Sequence, residues 1–215
     1  MSSLTEMIGQ LPVTCRILAV SKLQSEVKIR DLHSQGQRSF AENYVQEARA
    51  KQESLRDLKI DWHFIGQLQK NKAKDVVGRF ALIHSVGSLE LARVLDQRAS
   101  LQGVRQKILL QLNLALEETK GGFTEQQLET SWQDLARLKS VEIHGLMTMP
   151  PLFDDPERAR PFFKKLRDWR DRLSLLDPNV KELSMGTSSD YWIAAEEGAT
   201  WVRLGTILFG MRPRP

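Results

Sequence analysis

Short apolar runs alternate along the chain with segments whose apolar residues recur every three or four positions, the periods of buried strand and amphipathic helix. The runs fall at 16–22, 39–43, 62–66, 81–86, 107–114, 141–149, 182–186 and 201–206. Helical spacing fills the intervals, as in Val45-Gln46-Glu47-Ala48-Arg49-Ala50-Lys51 and Leu89-Glu90-Leu91-Ala92-Arg93-Val94-Leu95. Another helix is expected from near Pro156 to about Leu176, with Pro178 as its stop.

Strands that alternate with helices predict a parallel sheet, and eight is the number that closes a TIM-like (β/α)8 barrel. After the eighth run only residues 207–215 remain, with Gly210 and two prolines, too few for a normal eighth helix. The weakly helical stretch 4–10 is expected to cover that face instead. An open, doubly wound sheet is the competing architecture, but no GxGxxG follows the first strand. The pattern predicts one α/β domain over 1–215, with no second domain.

Composition narrows the function. Apolar residues make up 41% and charged residues 27% of 215, ordinary for a soluble globular protein. No apolar stretch reaches the ~18 residues of a membrane span, and the first residues lack the basic start and apolar core of a signal peptide. A single cysteine, Cys15, forms no internal disulfide, so a cytoplasmic setting is expected. The net charge of +4 invites a nucleic-acid reading. The densest basic stretch, Arg158 to Arg172, is however interleaved with Asp168 and Asp171 in the manner of a solvated helix face. Arg212 and Arg214 form only a short tail between prolines, and no recognition module accompanies the charge. Mild basicity still favours anionic small molecules.

Candidate chemistry sits where barrel strands end, at their carboxyl mouth. "ILAVSK", residues 17–22, is a buried strand closed by Lys22, and an ammonium taken out of water needs compensation. The other mouth positions are Asn43, His63, Gly66, His84, Ser85, Met147, Thr148 and Met185. After the seventh run, Gly186-Thr187-Ser188-Ser189-Asp190 leads into a helix and can cap it or bind an anion. After the eighth, Arg203-Leu204-Gly205-Thr206 supplies a glycine and a hydroxyl. Phosphates frequently lie between these two loops in barrels. Closure sets the eighth strand beside the first, so Lys22 belongs beside Arg203 and the anion cup. A lysine there is either a side chain snorkelling to the mouth or an amine that holds a phosphorylated aldehyde, with pyridoxal 5′-phosphate (PLP) the obvious candidate. His63, His84 and His144 lack metal-ligand spacing and read as packed or hydrogen-bonded residues. Lys70, Lys72 and Lys74 read as an exposed helix start, and Gly121-Gly122 as a turn, of a kind that can also border a barrel mouth.

At these residues the chain resembles the pyridoxal phosphate homeostasis protein family. The matching stretches are "AVSK" at 19–22, "FAENYVQEA" at 40–48, "WHFIGQLQKNK" at 62–72, "HSVGS" at 84–88, "GLMTMPP" at 145–151, "LSMGTSSD" at 183–190 and "VRLGTILFG" at 202–210. The resemblance implies a barrel like the N-terminal domain of alanine racemase, with PLP held at Lys22 as an internal aldimine and no enzymatic turnover. It implies that Ser188, Gly205 and Thr206 hold the phosphate, that Arg203 faces the pyridine nitrogen, that Asn43 sits near the ring and the aldimine, and that Met185 lines the pocket. Thr187 and Ser189 depart from the family's "MGMSxD" pattern, which leaves open which of the three hydroxyls carries the contact. The tail "GMRPRP" departs from a "GxRxY"-like ending.

Two classes of function compete: a carrier that stores, buffers or delivers PLP, and a small racemase-like enzyme acting on amino acids. The racemase would need a second acid/base residue from a further domain, so the carrier is expected, as a monomer. Its expected partners are PLP, PLP-dependent apoenzymes, and amines or amino acids that exchange at Lys22, with no nucleic acid and no membrane.

Overall fold

The computed structural model describes residues 4–117 and 119–210. Eight parallel strands close a barrel in sequential order: β1 (Arg16–Val20), β2 (Ser39–Glu42), β3 (Asp61–Phe64), β4 (Leu82–Val86), β5 (Gln106–Leu112), β6 (Val141–Thr148), β7 (Glu182–Ser184) and β8 (Trp201–Leu204). The seam joins β1 to β8 with Arg16 opposite Trp201 and Leu18 opposite Arg203. That seam rules out the open, doubly wound sheet. Most strands end before their apolar runs do, so Lys22, Asn43 and Gly66 lie just beyond the ladders in the mouth loops, and Thr206 opens the helical turn after β8. The tail with Arg212 and Arg214 lies outside the described residues.

Period-two alternation sorts the strand residues into two populations. Ile17, Ala19, Phe40, Phe64, Ile83, Ile108 and Leu110 belong to the main core, with helix residues such as Ile29, Leu32, Leu95, Leu128 and Phe163. These helices are α2 (Glu26–Ser34), α3 (Val45–Ser54), α4 (Ala73–Val76), α5 (Leu89–Leu101), α6 (Glu125–Ala136) and α7 (Arg160–Ser174). The opposite parity fills the barrel in two separate apolar groups. One is Leu18, Val20, Ala41 and Trp201; the other is Leu82, Leu109 and Met147. The barrel interior also holds polar side chains: His63, His84, Ser184 and Arg203 are all buried.

Local chemistry starts and stops the helices. Ser88 caps α5 by accepting from the Leu91 N–H at 3.2 Å. Thr124 and Gln127 form a reciprocal capping box on α6, a feature worth ~1 kcal/mol. A short turn at Pro156–Ala159 leads into α7, which ends at Ser174. α8 (Tyr191–Glu196) is short, and among the described residues one turn, α9 (Thr206–Phe209), follows β8. The N-terminal α1 (Leu4–Gln10) buries Leu4 in the main core with Cys15 and Ile17. Lys28 donates from Nζ to the Phe209 carbonyl at 2.8 Å and ties α9 to α2.

Candidate functional site

A cleft of about 380 Å³ opens at the carboxyl mouth between the ends of β1, β2, β6, β7 and β8. It brings together Lys22, Asn43, Ser188, Arg203, Gly205 and Thr206, with Thr187 and Ser189. Val20, Ile65, Met147 and Met149 form its apolar wall. A neighbouring cleft of about 490 Å³ shares Asn43, Ile65, Met147 and Met149, and Lys70, Lys120, Gly121 and Gly122 line it further out. Both sizes suit a small ligand, and Lys22 lines only the first.

Met185 does not join the group. Ser184 points into the barrel, so the next residue follows the outward parity; Met185 is fully buried in the core between sheet and helices and is absent from the cleft wall. His63 and His84 also lie deeper than the mouth expected for them. They are 3% and 0% exposed inside the barrel, with His63 Nδ1 at 2.8 Å from His84 Nε2. His144 sits at the other end, 3.2 Å from Glu142.

The loop that carries Lys22 is held by residues the sequence reading passed over. Ser21 donates from its hydroxyl to Glu42 Oε1 at 2.6 Å, and its carbonyl accepts from Lys51 Nζ at 2.6 Å. On the other side, the Leu23 N–H donates to Glu47 Oε1 at 2.6 Å, with Leu23 in the left-handed region at φ 60°. Lys51 joins both carboxylates, at 2.8 Å to Glu42 and 2.7 Å to Glu47. Glu42 is fully buried, and its Oε2 has no hydrogen-bond partner among the described residues. Burial pushes its carboxyl above the usual range, and Lys51 and Ser21 pull the other way. Lys51 lies three residues after Ala48, on a face of α3 that the fold buries and the sequence does not distinguish from a solvated one.

The hydroxyl loops divide the labour among three adjacent residues. Asp190 Oδ1 accepts from the Thr187 N–H at 2.6 Å and from its hydroxyl at 3.0 Å, so Thr187 serves the turn. The hydroxyls of Ser188 and Thr206 make no hydrogen bond among the described residues, and neither do the backbone N–H groups of Ser188, Ser189, Thr206 and Ile207. Unused donors on two segments of one cleft are a set that could hold an anion. The expected helix-dipole contribution is small, because α8 has only six residues. Glu197, buried at the carboxyl end of α8, binds Arg160 at 2.8 Å and Arg167 at 2.9 Å and anchors that end to α7.

Arg203 forms the floor. It is 5% exposed and donates to Ser184 Oγ and the Thr148 carbonyl, each at 2.9 Å. Burial lowers its pKa to about 10, opposed by Asp190, so it remains a cation at neutral pH. Asn43 stands across the cleft with its Oδ1 buried and without a partner among the described residues, an acceptor available to a ligand donor. Its backbone is fixed by Gly66, where an added Cβ would meet the Asn43 carbonyl oxygen at 1.9 Å.

Known proteins share both sequence and architecture. Residues 4–213 match the model of the family described as "Alanine racemase, N-terminal domain". The pyridoxal phosphate homeostasis protein of Aquifex aeolicus is 41% identical over 208 residues, 96% of this chain and 91% of that protein. The protein of the same name from Synechocystis is 41% identical over 97% of this chain and 96% of its own length. PipY of Synechococcus elongatus, solved with PLP bound, superposes with a TM-score of 0.90 at 41% identity, over 96% of this chain and 98% of that one. An alanine racemase of Clostridium difficile shares the fold at 18% identity, with a TM-score of 0.74 over 98% of this chain and 56% of the racemase.

Proposed function

The chain belongs to the pyridoxal phosphate homeostasis protein family, built on the alanine racemase N-terminal fold, and from that premise we propose that it holds and hands over PLP in the cleft at Lys22. The observation that carries the reading is the match between the cleft's donors and acceptors and the parts of that molecule. A primary amine, a cup of unused N–H and hydroxyl donors, an orphaned acceptor and a buried cation share one cavity of about 380 Å³. When bound, PLP supplies an aldehyde that condenses with a primary amine.

The chain's own residues then have separable tasks. Ser188 and Thr206, with the N–H groups around them, bind the phosphate; Thr187 shapes the loop through Asp190. Lys22 is the nucleophile, placed by the bonds on either side of it at Ser21 and Leu23. Arg203 donates to the aromatic nitrogen, and a guanidinium cannot accept its proton. A cation there disfavours protonation of that nitrogen and so weakens the ring as an electron sink. Asn43 accepts from a donor on the ring side.

Storage, buffering or delivery is favoured over turnover by the composition of the wall. Among the described residues that line the cleft, Lys22 is the sole side chain suited to general acid/base work. Two-sided proton transfer at an amino acid needs a second such group. In this reading amines and amino acids exchange at Lys22, and PLP-dependent apoenzymes receive the cofactor.

Borohydride treatment of the PLP-loaded protein should fix one PLP on the peptide containing Lys22, and Lys22→Ala should abolish it. Attachment at Lys70 or Lys120 would refute the assignment. Deuterium wash-in at the α-carbon of L-alanine should be negligible; exchange at ~1 s⁻¹ or faster, lost in Lys22→Ala, would establish the enzyme instead.

A further inference from the structure

Beneath Arg203 the barrel interior contains a line of buried polar groups, Ser184, His84 and His63, to which the proposed function gives no part. Arg203 Nη1 lies 2.9 Å from Ser184 Oγ, which lies 2.9 Å from His84 Nδ1. His84 Nε2 in turn lies 2.8 Å from His63 Nδ1. His63 borders a pit at the opposite end of the barrel, lined by Arg16, Asp61 and Glu182. The line therefore crosses the barrel from the floor of the cofactor cleft to its far face.

Donor counting gives this line a direction. A guanidinium can only donate, so Ser184 Oγ accepts from Arg203. The serine's own proton needs an acceptor, and its other hydrogen-bond neighbour among the described residues is His84 Nδ1. His84 Nδ1 is therefore unprotonated, and a neutral ring then carries its proton on Nε2. That proton is donated to His63 Nδ1, which places the second ring's proton on Nε2, toward the pit. Burial keeps both rings neutral, with His63 pushed down to about 3 and His84 well below the ordinary value. Packing fixes the planes: His63 meets Trp201 edge-on at 4.8 Å and His84 at 5.1 Å between centroids.

We propose that His63, His84 and Ser184 are positioning residues for Arg203, a one-directional hydrogen-bond chain that keeps a serine lone pair facing the guanidinium and so holds it against the aromatic nitrogen of the cofactor. The inference rests on the PLP reading for that last contact. The need for such a chain is visible in the surroundings of Arg203: it has no carboxylate within ion-pair distance among the described residues, and only the neutral Ser184 and Thr148 oxygens accept from it. A reversed serine hydroxyl would turn its proton on a buried cation.

Imidazole 15N–1H correlation spectra of the ligand-free protein test the polarity directly. Both rings should be neutral with the proton on Nε2, and an Nδ1–H ring at His84 overturns the chain. Binding tests its purpose, with folding checked by circular dichroism. Ser184→Ala and His84→Leu should each weaken PLP binding about tenfold, the scale of one hydrogen bond to a charged group. His84→Asn, which keeps an acceptor near the Nδ1 position, should recover most of it. The 1-deaza analogue of PLP, with carbon in place of the ring nitrogen, should bind all of these variants as it binds the wild type. Equal losses for PLP and the analogue would show a structural role only and overturn the positioning role. Failure of the wild type to bind PLP would overturn the proposed function and the ligand contact together, while the tautomers would still decide the direction of the chain.

Discussion

Replacing Lys51 with methionine tests how the Lys22 loop is held. Lys51 is 5% exposed and gives its three protons to Glu42, Glu47 and the Ser21 carbonyl. Methionine keeps most of the stem's volume and leaves Glu42 as a fully buried carboxylate with only the Ser21 hydroxyl. Removing one partner of a buried ion pair costs ~3–5 kcal/mol. A domain of this length loses ~2–4 °C of melting temperature per kcal/mol, so a drop of about 6–20 °C is expected at pH 7. The sign with pH follows from Glu42, whose carboxyl burial already raises and Lys51 lowers. Without Lys51 its folded pKa rises further above the unfolded value of ~4.3. The deficit against wild type is then complete above the folded pKa and shrinks as pH falls toward the unfolded one. Thermal melts of both proteins across pH, followed by circular dichroism, measure that difference. Glu42→Gln combined with Lys51→Met should recover a large part of the loss at pH 7. A single variant within 1 kcal/mol of wild type, or a deficit that does not narrow in acid, would refute the reasoning.

Three other outcomes follow from the geometry. Ser188→Ala and Thr206→Val should each weaken PLP retention by ~1–3 kcal/mol in equilibrium dialysis while sparing unphosphorylated pyridoxal; equal losses for both ligands would mean that the cup does not hold the phosphate. Gly66→Ala should destabilise the fold, since its Cβ would overlap the Asn43 carbonyl oxygen at 1.9 Å, and a melt equal to wild type would show that the β3 loop relaxes freely. Cys15 has a thiol that burial raises to about 11, so a disulfide reagent at pH 8 should label the native protein far more slowly than the unfolded chain, and equal rates would contradict its burial.

The eight strands were legible because each is an apolar run bounded by helical spacing, and barrel closure then predicted the neighbourhood of Lys22 and Arg203. The two hydroxyl loops were legible for the same topological reason. The support beneath them was not. Lys51 reads as one more charge on a solvated helix until the buried side of α3 is known, and Glu42 reads as the polar end of a strand. The apolar run of His63 continues two residues beyond β3, and His84 lies at the centre of β4 (Leu82–Val86), so both rings sit among interior side chains below the mouth. Met185 was drawn into the cleft by its neighbours in sequence, whereas alternation along β7 turns it outward.

That same alternation sets the frame in which this chain tolerates insertions and deletions. In β1 the interior positions are Leu18 and Val20, and Lys22 follows them in parity. Loss of one residue from 17–21, with the seam at Arg16 and Trp201 kept, would turn the lysine toward the helices and send its neighbour into the cleft. Loss of two would restore the face but draw the amine down the barrel by ~7 Å, at ~3.3 Å per residue. Length variation is therefore expected in the helices and in the loops at the amino end of the strands. The span from Arg16 to Lys22 admits substitution far more readily than any change in its count.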